Sequence, residues 1–269
     1  MKAAVVQINS SDDKKRNIAR ACELVKEAIR QKARLIALPE VFNYRGKLDA
    51  ISKFDEIAEK IPGESTISFC ELASRAKVFI LAGSIYESIG NSKKIYNTSI
   101  LIGPSGKLLA RYRKIHLFDA ILGNKTVKES KFFKPGRQLV IGKVENFKAG
   151  LSICYDLRFP ELYREYFKQG AGLLMVPSSF TKKTGAAHWE VLLRARAVEN
   201  LCYVLAPNQI GFDGHGIESF GHSLIVNPWG EVLARASSDQ EEVITADISM
   251  DVLSAKRKIL PAIQPGVSF

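Results

Sequence analysis

The sequence predicts an α/β protein, a four-layer α-β-β-α sandwich built from two pseudo-symmetric halves, and two observations carry that prediction. Short apolar, strand-like segments alternate with segments of helical period. The alternation then repeats. Ser99-Ile-Leu-Ile-Gly-Pro104-Ser-Gly106-Lys-Leu-Leu109-Ala110-Arg111 is matched by Ser223-Leu-Ile-Val-Asn-Pro228-Trp-Gly230-Glu-Val-Leu233-Ala234-Arg235, every pair 124 positions apart. Each copy reads as strand, Pro-x-Gly turn and strand, which is a hairpin.

The first half opens with a strand over residues 3–7 and a helix from about 12 to 32. Ile18, Ala21, Val25, Ala28 and Ile29 fall on one face of that helix. A strand at 35–38, a helix around 65–77 and a strand at 78–82 lead to the first hairpin. The second half repeats the order. A strand at 150–154 precedes a helix with Pro160 near its first turn and Gly170 just past its end. A strand at 173–176, a helix around 188–200 and a strand at 202–206 lead to the second hairpin. With helices on one face of each half, the remaining sheet faces bury each other. The segment from about 118 to 138 interrupts the pattern, is rich in Lys, Gly and polar residues, and reads as a loop over the site. Residues 1–269 read as a single domain, with about 249–269 as a C-terminal extension and a candidate intersubunit arm.

The 269 residues, 46% of them hydrophobic, suffice for a sizeable core and exclude a disordered chain. No segment approaches the run of about 20 apolar residues that a membrane span needs. The apolar start, Ala3 to Val6 between Lys2 and Gln7, is shorter than a secretory h-region of about 7–15 residues. Cys22, Cys70, Cys154 and Cys202 are far apart, which suits free thiols in a reducing, cytoplasmic compartment. The four histidines lack metal-ligand spacing, so no metal is expected. A net charge of +11 comes from Lys and Arg scattered among acidic residues. Without a basic block or a nucleic-acid-binding motif, it reads as a solvated surface and names neither nucleic acid nor membrane as partner.

Three places hold groups able to do chemistry. Leu38-Pro39-Glu40 ends a strand and puts a carboxylate where the chain turns; Tyr112-Arg113-Lys114-Ile115-His116 follows the first hairpin; Ser152-Ile153-Cys154-Tyr155-Asp156 ends a strand in the second half. Ligands of open α/β sheets gather at strand carboxyl ends, so matched strand directions bring all three into one crevice. Attack by Cys154 needs the thiolate, and the helix beginning near Pro160 offers its dipole to lower the thiol pKa. Glu40 fits a general base that takes the thiol proton, passes it to a departing nitrogen and later activates water. Lys114 is a fixed positive charge for an oxyanion, with the backbone N–H of Tyr155 as second donor. Each residue alone has a plainer explanation: a buried small hydrophobe, a helix-capping carboxylate, a surface lysine. Cys22, Cys70 and Cys202 fall inside apolar-periodic segments and keep that plainer reading.

At these residues the sequence resembles the nitrilase superfamily, the carbon–nitrogen hydrolases, from Met1 to about Ile248. The superfamily's Glu-Lys-Cys set matches Glu40, Lys114 and Cys154. Four stretches resemble the Nit-type amidases, which include omega-amidase and deaminated glutathione amidase. They are Tyr112-Arg-Lys-Ile-His-Leu-Phe-Asp119, Cys154-Tyr-Asp-Leu-Arg-Phe-Pro-Glu161, His188-Trp-Glu-Val-Leu-Leu-Arg-Ala-Arg-Ala-Val-Glu199 and Gly221-His-Ser. The resemblance implies hydrolysis of a small carboxylated amide to acid and ammonia through a thioester, without cofactor or metal, in a homodimer or larger homo-oligomer.

It also implies a second carboxylate, Glu129, which positions substrate and tunes Lys114; the residues alone read it as a solvated loop glutamate. Arg158 stands where relatives that hydrolyse N-carbamoyl amino acids hold a substrate carboxylate, and an ion pair with Glu161 is its alternative. Ser178, Ser179 and Phe180 are candidate pocket-lining residues. Thr184-Gly-Ala186-Ala-His188-Trp departs from the Thr-Gly-Pro-Ala-His-Trp of several Nit-type sequences, and the loop over 211–218 is individual. The substrate therefore does not carry over. Two other functions stay open: a nitrilase using the same triad, and a catalytically idle homologue acting as a binding or scaffold protein.

Overall fold

Alternate residues of each strand have different destinations, and that alternation builds the layers. The computed structural model describes residues 1–48, 54–90, 92–122, 125–214 and 216–262. Its first half runs β1 (Lys2–Gln7), α1 (Lys14–Arg30), β2 (Leu35–Ala37), a short α2 (Phe54–Ile57), α3 (Glu64–Ala76), β3 (Phe79–Leu81), β4 (Ile85–Glu87) and the hairpin β5 (Tyr96–Ile102) and β6 (Leu108–Arg113). A small hairpin follows, β7 (Asp119–Leu122) and β8 (Lys125–Lys128). The second half runs β9 (Ile141–Val144), β10 (Phe147–Leu151), α4 (Pro160–Lys168), β11 (Leu173–Met175), α5 (Lys182–Asn200) and β12 (Tyr203–Ala206). A short hairpin, β13 (Ile210–Phe212) and β14 (Glu218–Phe220), comes next, then the hairpin β15 (Leu224–Val226) and β16 (Val232–Arg235). The chain closes with β17 (Glu242–Asp247) and α6 (Met250–Ile259).

In one sheet β1, β2 and β3 are parallel neighbours, and antiparallel β5 and β6 extend it. In the other, β10, β11 and β12 are parallel neighbours extended by β15 and β16. Ala3, Val5, Leu35, Ala37 and Leu81 turn toward Ala149, Leu151, Leu173, Met175 and Leu205 to form the core between the sheets. The alternate residues Ala4, Val6, Ile36 and Ile80 pack under α1 and α3, and Leu174, Val176, Val204 and Val226 pack under α4 and α5. That is the expected four-layer order, each period-2 strand buried on both faces.

The repeat is kept in backbone detail. Both hairpins carry a register shift at the same place, Leu101/Ile102 and Ile225/Val226. Both turn on a left-handed glycine, Gly106 with φ 77° and Gly230 with φ 82°. The helix before each ends on a left-handed residue, Lys77 or Leu201.

Several boundaries move. α5 starts six residues before the expected His188, because Thr181 caps it by accepting from the Thr184 N–H. β10 stops at Leu151, and Cys154 opens a 3-10 turn that runs to Arg158. The segment expected as a loop over 118–138 holds the β7–β8 hairpin and a 3-10 turn, Glu129–Lys131. The chain's end packs on both halves, β17 just before the expected extension and α6 within it. β17 returns to pair with β1, and α6 docks on the chain's own second sheet, with Leu253 buried beside Gly172 and the Arg257 Nε donating to the Leu201 carbonyl at 3.1 Å. Residues 263–269 of that expected arm lie outside the described residues.

Candidate active site

The carboxyl ends of β2, β6 and β10 meet at a cavity of about 830 Å³ lined by both halves. Each end is fixed by backbone bonds. After β2, the Leu38 N–H bonds the Leu81 carbonyl, and Gly83 passes so close that a side chain there would overlap the Pro39 carbonyl. Val41, next to Glu40, sits at φ 48°, where a β-branched residue is rare; its N–H donates to Ser84 Oγ at 3.0 Å. After β6, the Lys114 N–H bonds the Asn97 carbonyl at 2.9 Å, and its own carbonyl accepts from Gly136 at 2.8 Å.

Cys154 sits at φ 46°, also left-handed, with its N–H on the Pro177 carbonyl at 2.9 Å. Asp156 holds that turn. Its fully buried carboxylate accepts from the Ile153 N–H at 2.9 Å, the Tyr112 hydroxyl at 2.7 Å and the His116 N–H at 2.9 Å. Val41 and Cys154 are thus two of the seven left-handed non-glycine residues among those described, and both lie at the candidate groups.

The side chains converge on one ammonium. Lys114 Nζ lies 3.0 Å from Glu40 Oε1 and 3.0 Å from Glu129 Oε1, and the lysine is only 1% exposed. Asn97 Nδ2 donates to Glu40 Oε1 at 2.9 Å, and the Phe118 N–H donates to Glu129 Oε2 at 2.7 Å. Gln209 Nε2 reaches the Glu40 carbonyl at 2.9 Å from the other half.

Burial alone pushes Lys114 down, but the charges of Glu129 and Glu40 outweigh it and hold the ammonium well above its ordinary value. Burial raises Glu129, partly offset by Lys114. Burial also pushes the Cys154 thiol well above its ordinary value, and the neighbouring Glu40 carboxylate pushes it further; Lys114 and the Ser179 N–H pull the other way. The expected dipole effect on Cys154 is therefore corrected. α4 begins at Pro160, behind the 3-10 turn, and the resting thiol is raised rather than lowered. A carboxylate beside a neutral thiol, with a permanent cation between two acids, suits proton transfer in step with nucleophilic attack.

The carbon-nitrogen hydrolase family profile matches residues 2–258. The chain belongs to that family. As a carbon–nitrogen hydrolase it is 42% identical over 261 residues to the omega-amidase NIT2 of Homo sapiens, covering 96% of this chain and 92% of the relative. Nit3 of Saccharomyces cerevisiae, a member of branch 10 of the nitrilase superfamily, superposes with TM-score 0.86 at 32% identity, over 98% of this chain and 96% of that one. A mutant amidase from Nesterenkonia sp. AN1, solved after Michael addition of acrylamide at its active site cysteine, gives TM-score 0.79 at 25% identity over 97% and 98%. The chain is a nitrilase-superfamily enzyme, an amidase.

Within this hydrolase Glu40, Lys114, Cys154 and Glu129 come together, and the Glu129 carboxylate is bound to Lys114 rather than solvated. The Tyr155 N–H precedes the first 3-10 bond, from Asp156 to Ile153, at the cavity wall. Arg158 lines the cavity, 3.3 Å from His188 Nδ1 and over the Tyr155 and Phe180 rings; among the described residues it has no ion pair, with Glu161 or otherwise. Ser179 and Phe180 line the cavity. Ser178 does not: it is fully buried behind the wall, its hydroxyl donating to the Val176 carbonyl at 3.0 Å.

Sequence reasoning missed Asn97, Asp156, Gln209 and Arg45. Asp156 carried a signal, a carboxylate two residues after the nucleophile; the other three reach the site only through folding. His215, within the individual loop over 211–218, lies outside the described residues. Among the described residues no His, Cys, Asp and Glu cluster could hold a metal, and no helix is long and apolar enough to cross a membrane.

Proposed function

We propose that this amidase hydrolyses a small carboxylated amide, in the manner of an omega-amidase, through a thioester on Cys154. The observation that carries the reading is the Lys114 ammonium, buried between two carboxylates beside a neutral thiol. Glu40 takes the thiol proton as sulfur attacks the amide carbon. Lys114 and the Tyr155 N–H stabilise the oxyanion, a task that favours a donor fixed in place before charge develops. Glu40 returns its proton to the nitrogen, the C–N bond breaks and ammonia leaves. Glu40 then takes a proton from water, whose oxygen attacks the thioester, and the acid departs as the thiol is restored. Glu129 fixes Lys114 and the substrate nitrogen, while Arg158 holds the substrate carboxylate.

No residue of this cycle calls for a cofactor or metal. Four well-separated free thiols support a cytoplasmic setting. A homodimer or larger homo-oligomer is part of the same reading, supported by exposed Val191 and Val198 on α5 beside exposed Trp229 and Leu233.

The test is ammonia release from 2-oxoglutaramate, deaminated glutathione, glutamine, asparagine, aliphatic amides, N-carbamoyl amino acids and two nitriles. Wild type and Cys154→Ala are run in parallel. Release from a carboxylated amide, abolished in the variant, is the expected result. Activity surviving in Cys154→Ala sinks the mechanism, and release from nitriles alone sinks the substrate class.

A further inference from the structure

The cavity lining holds a second guanidinium that the mechanism does not use. Arg45, from the loop after β2, is 4% exposed and lines the cavity. Its Nη1 and Nη2 reach Ser10 O at 3.5 Å, Asn9 Oδ1 at 3.5 Å, Gln209 Oε1 at 3.3 Å, Ile210 O at 3.1 Å, Gly211 O at 3.4 Å and Ser219 Oγ at 2.9 Å. Every acceptor is neutral, and all but Ser219 Oγ and Ile210 O lie beyond the usual range of about 2.7–3.2 Å. Among the described residues no carboxylate forms an ion pair with it, although the charges of Asp213, first, and of Tyr86 and Glu40 favour the guanidinium. Burial pulls Arg45 down to about 10, so its charge is held at a cost that a counter-ion relieves.

The surroundings point the same way. Among the described residues, beyond Glu40 and Glu129, the charged lining is Arg45, Lys128, Lys131 and Arg158 against Asp213. Arg45 also connects to the reacting centre: Ser219 Oγ lies 3.3 Å from Ser179 Oγ, and the Ser179 N–H faces the Cys154 sulfur. Arg158 has separate partners in the lining, His188 and Phe180.

We infer that Arg45 and Ser219 form an anion subsite for a second carboxylate on the acyl chain, so that the preferred substrate is an amide bearing two carboxylates. This rests on the amidase reading above. Arg158 takes one carboxylate by its paired N–H fork, and the other displaces the long neutral contacts of the Arg45 Nη groups. No bond is made or broken at the subsite; it acts on substrate binding and on choice between amides.

The experiment compares kcat/KM for ammonia release from glutaramate and from 3-carboxyglutaramate, which differ by one carboxylate. Wild type is expected to favour the second. Arg45→Gln is expected to cut that preference about 30-fold, mainly through KM, as loss of a charge-assisted pair does. Arg45→Lys keeps part of the preference, and Ser219→Ala, which leaves the guanidinium in place, reduces it less. A wild type without preference overturns the subsite. So does an Arg45→Gln variant that loses both substrates equally, since Arg45 is then only a tie between the halves. Calorimetry on Cys154→Ala with tricarballylate and glutarate separates the two proposals when no amide is turned over. Tighter tricarballylate binding that Arg45→Gln removes supports the subsite although the amidase reading has failed; equal binding of the two acids overturns it.

Discussion

β2 and β11 occupy the same place in the two halves, second of three parallel strands, and both run into a proline. The Leu38 N–H and Val176 N–H reach the next strand at the Leu81 and Leu205 carbonyls, at 3.0 and 2.9 Å. One residue beyond each proline the halves diverge. Glu40 turns its carboxylate to Lys114 and Asn97 in the cavity, while Ser178 turns its hydroxyl back to the Val176 carbonyl. The duplicated backbone supplies equivalent ledges, and a single side chain decides which ledge does chemistry. The other half then completes the site with Cys154, whose N–H hangs on the Pro177 carbonyl of the silent ledge.

The sharpest way to break that comparison is to change the two ledges separately. Glu40→Gln keeps the shape but removes the base, and kcat is expected to fall at least ~10³-fold with little change in melting temperature. Ser178→Ala is expected to leave kcat within about threefold and to cost about 1 kcal/mol of stability for one buried hydrogen bond. Losses of similar size in the two variants would refute the assignment. The thiol gives an independent reading. Because the Glu40 charge helps push Cys154 up, its removal leaves Lys114 acting on the sulfur and lowers the thiol pKa. Alkylation of the Cys154 peptide by iodoacetamide at pH 8 should therefore become faster in Glu40→Gln, even as turnover stops. Slower alkylation would mean that Glu40 favours the thiolate.

The same contrast explains what the sequence made legible. Turn chemistry is local, so the Pro-x-Gly hairpins, the Pro160 and Gly170 ends of α4 and the strand order could be read directly, and with them the two sheets. Glu40, Lys114 and Cys154 could be read because each stands at a strand end, where the fold class says ligands collect. Glu129 is named by the resemblance and not by its own neighbourhood, because its bond to Lys114 depends on how the β7–β8 hairpin folds back, which no local pattern encodes. Arg45 and Gln209 belong to the same class; they come from opposite halves and meet only when the sheets stack. β17 escaped for a similar reason, since its partner β1 lies at the far end of the chain.

A second pair of equivalent positions tests the repeat itself. Gly106 and Gly230 both turn the hairpin in left-handed backbone, so alanine at either is strained by about 1 kcal/mol. Their surroundings differ. A Cβ at Gly106 would stand 2.7 Å from the Cys70 carbonyl oxygen, part of a helix backbone, whereas at Gly230 the nearest atom is Val198 Cγ2 at 2.6 Å, on a half-exposed side chain. Backbone cannot yield as a methyl can. Gly106→Ala is therefore expected to cost about 2–3 kcal/mol in urea unfolding and Gly230→Ala about 1 kcal/mol. Equal costs would mean that the helices give way alike in both halves.

The smallest expected effect concerns β4 and β13, the strands that leave the third parallel strand of each half. β4 stays in the sheet beside β5, while β13 leaves to pair with β14. At the end of β4, Glu87 accepts from Thr98 Oγ1 at 2.7 Å, Arg113 Nε at 2.9 Å and Arg111 Nη1 at 3.2 Å; the second half puts Gly211 at the corresponding position. Burial pushes Glu87 up, but Arg113 and Thr98 outweigh it and hold the carboxyl below its ordinary value of 4.5. A carboxylate with a depressed folded pKa contributes stability above its unfolded value, and loses it as pH falls through the folded one. Both arginines are about two-fifths exposed, so Glu87→Gln should cost only about 1 kcal/mol at pH 7. Below pH 4.5 the wild-type and Gln unfolding curves should converge, measured in urea from pH 7 down to 3. A gap that persists or widens in acid would place the Glu87 contribution in shape rather than charge, and would leave the retention of β4 in its sheet to its pairing with β5 and the packing of Ile85 and Tyr86.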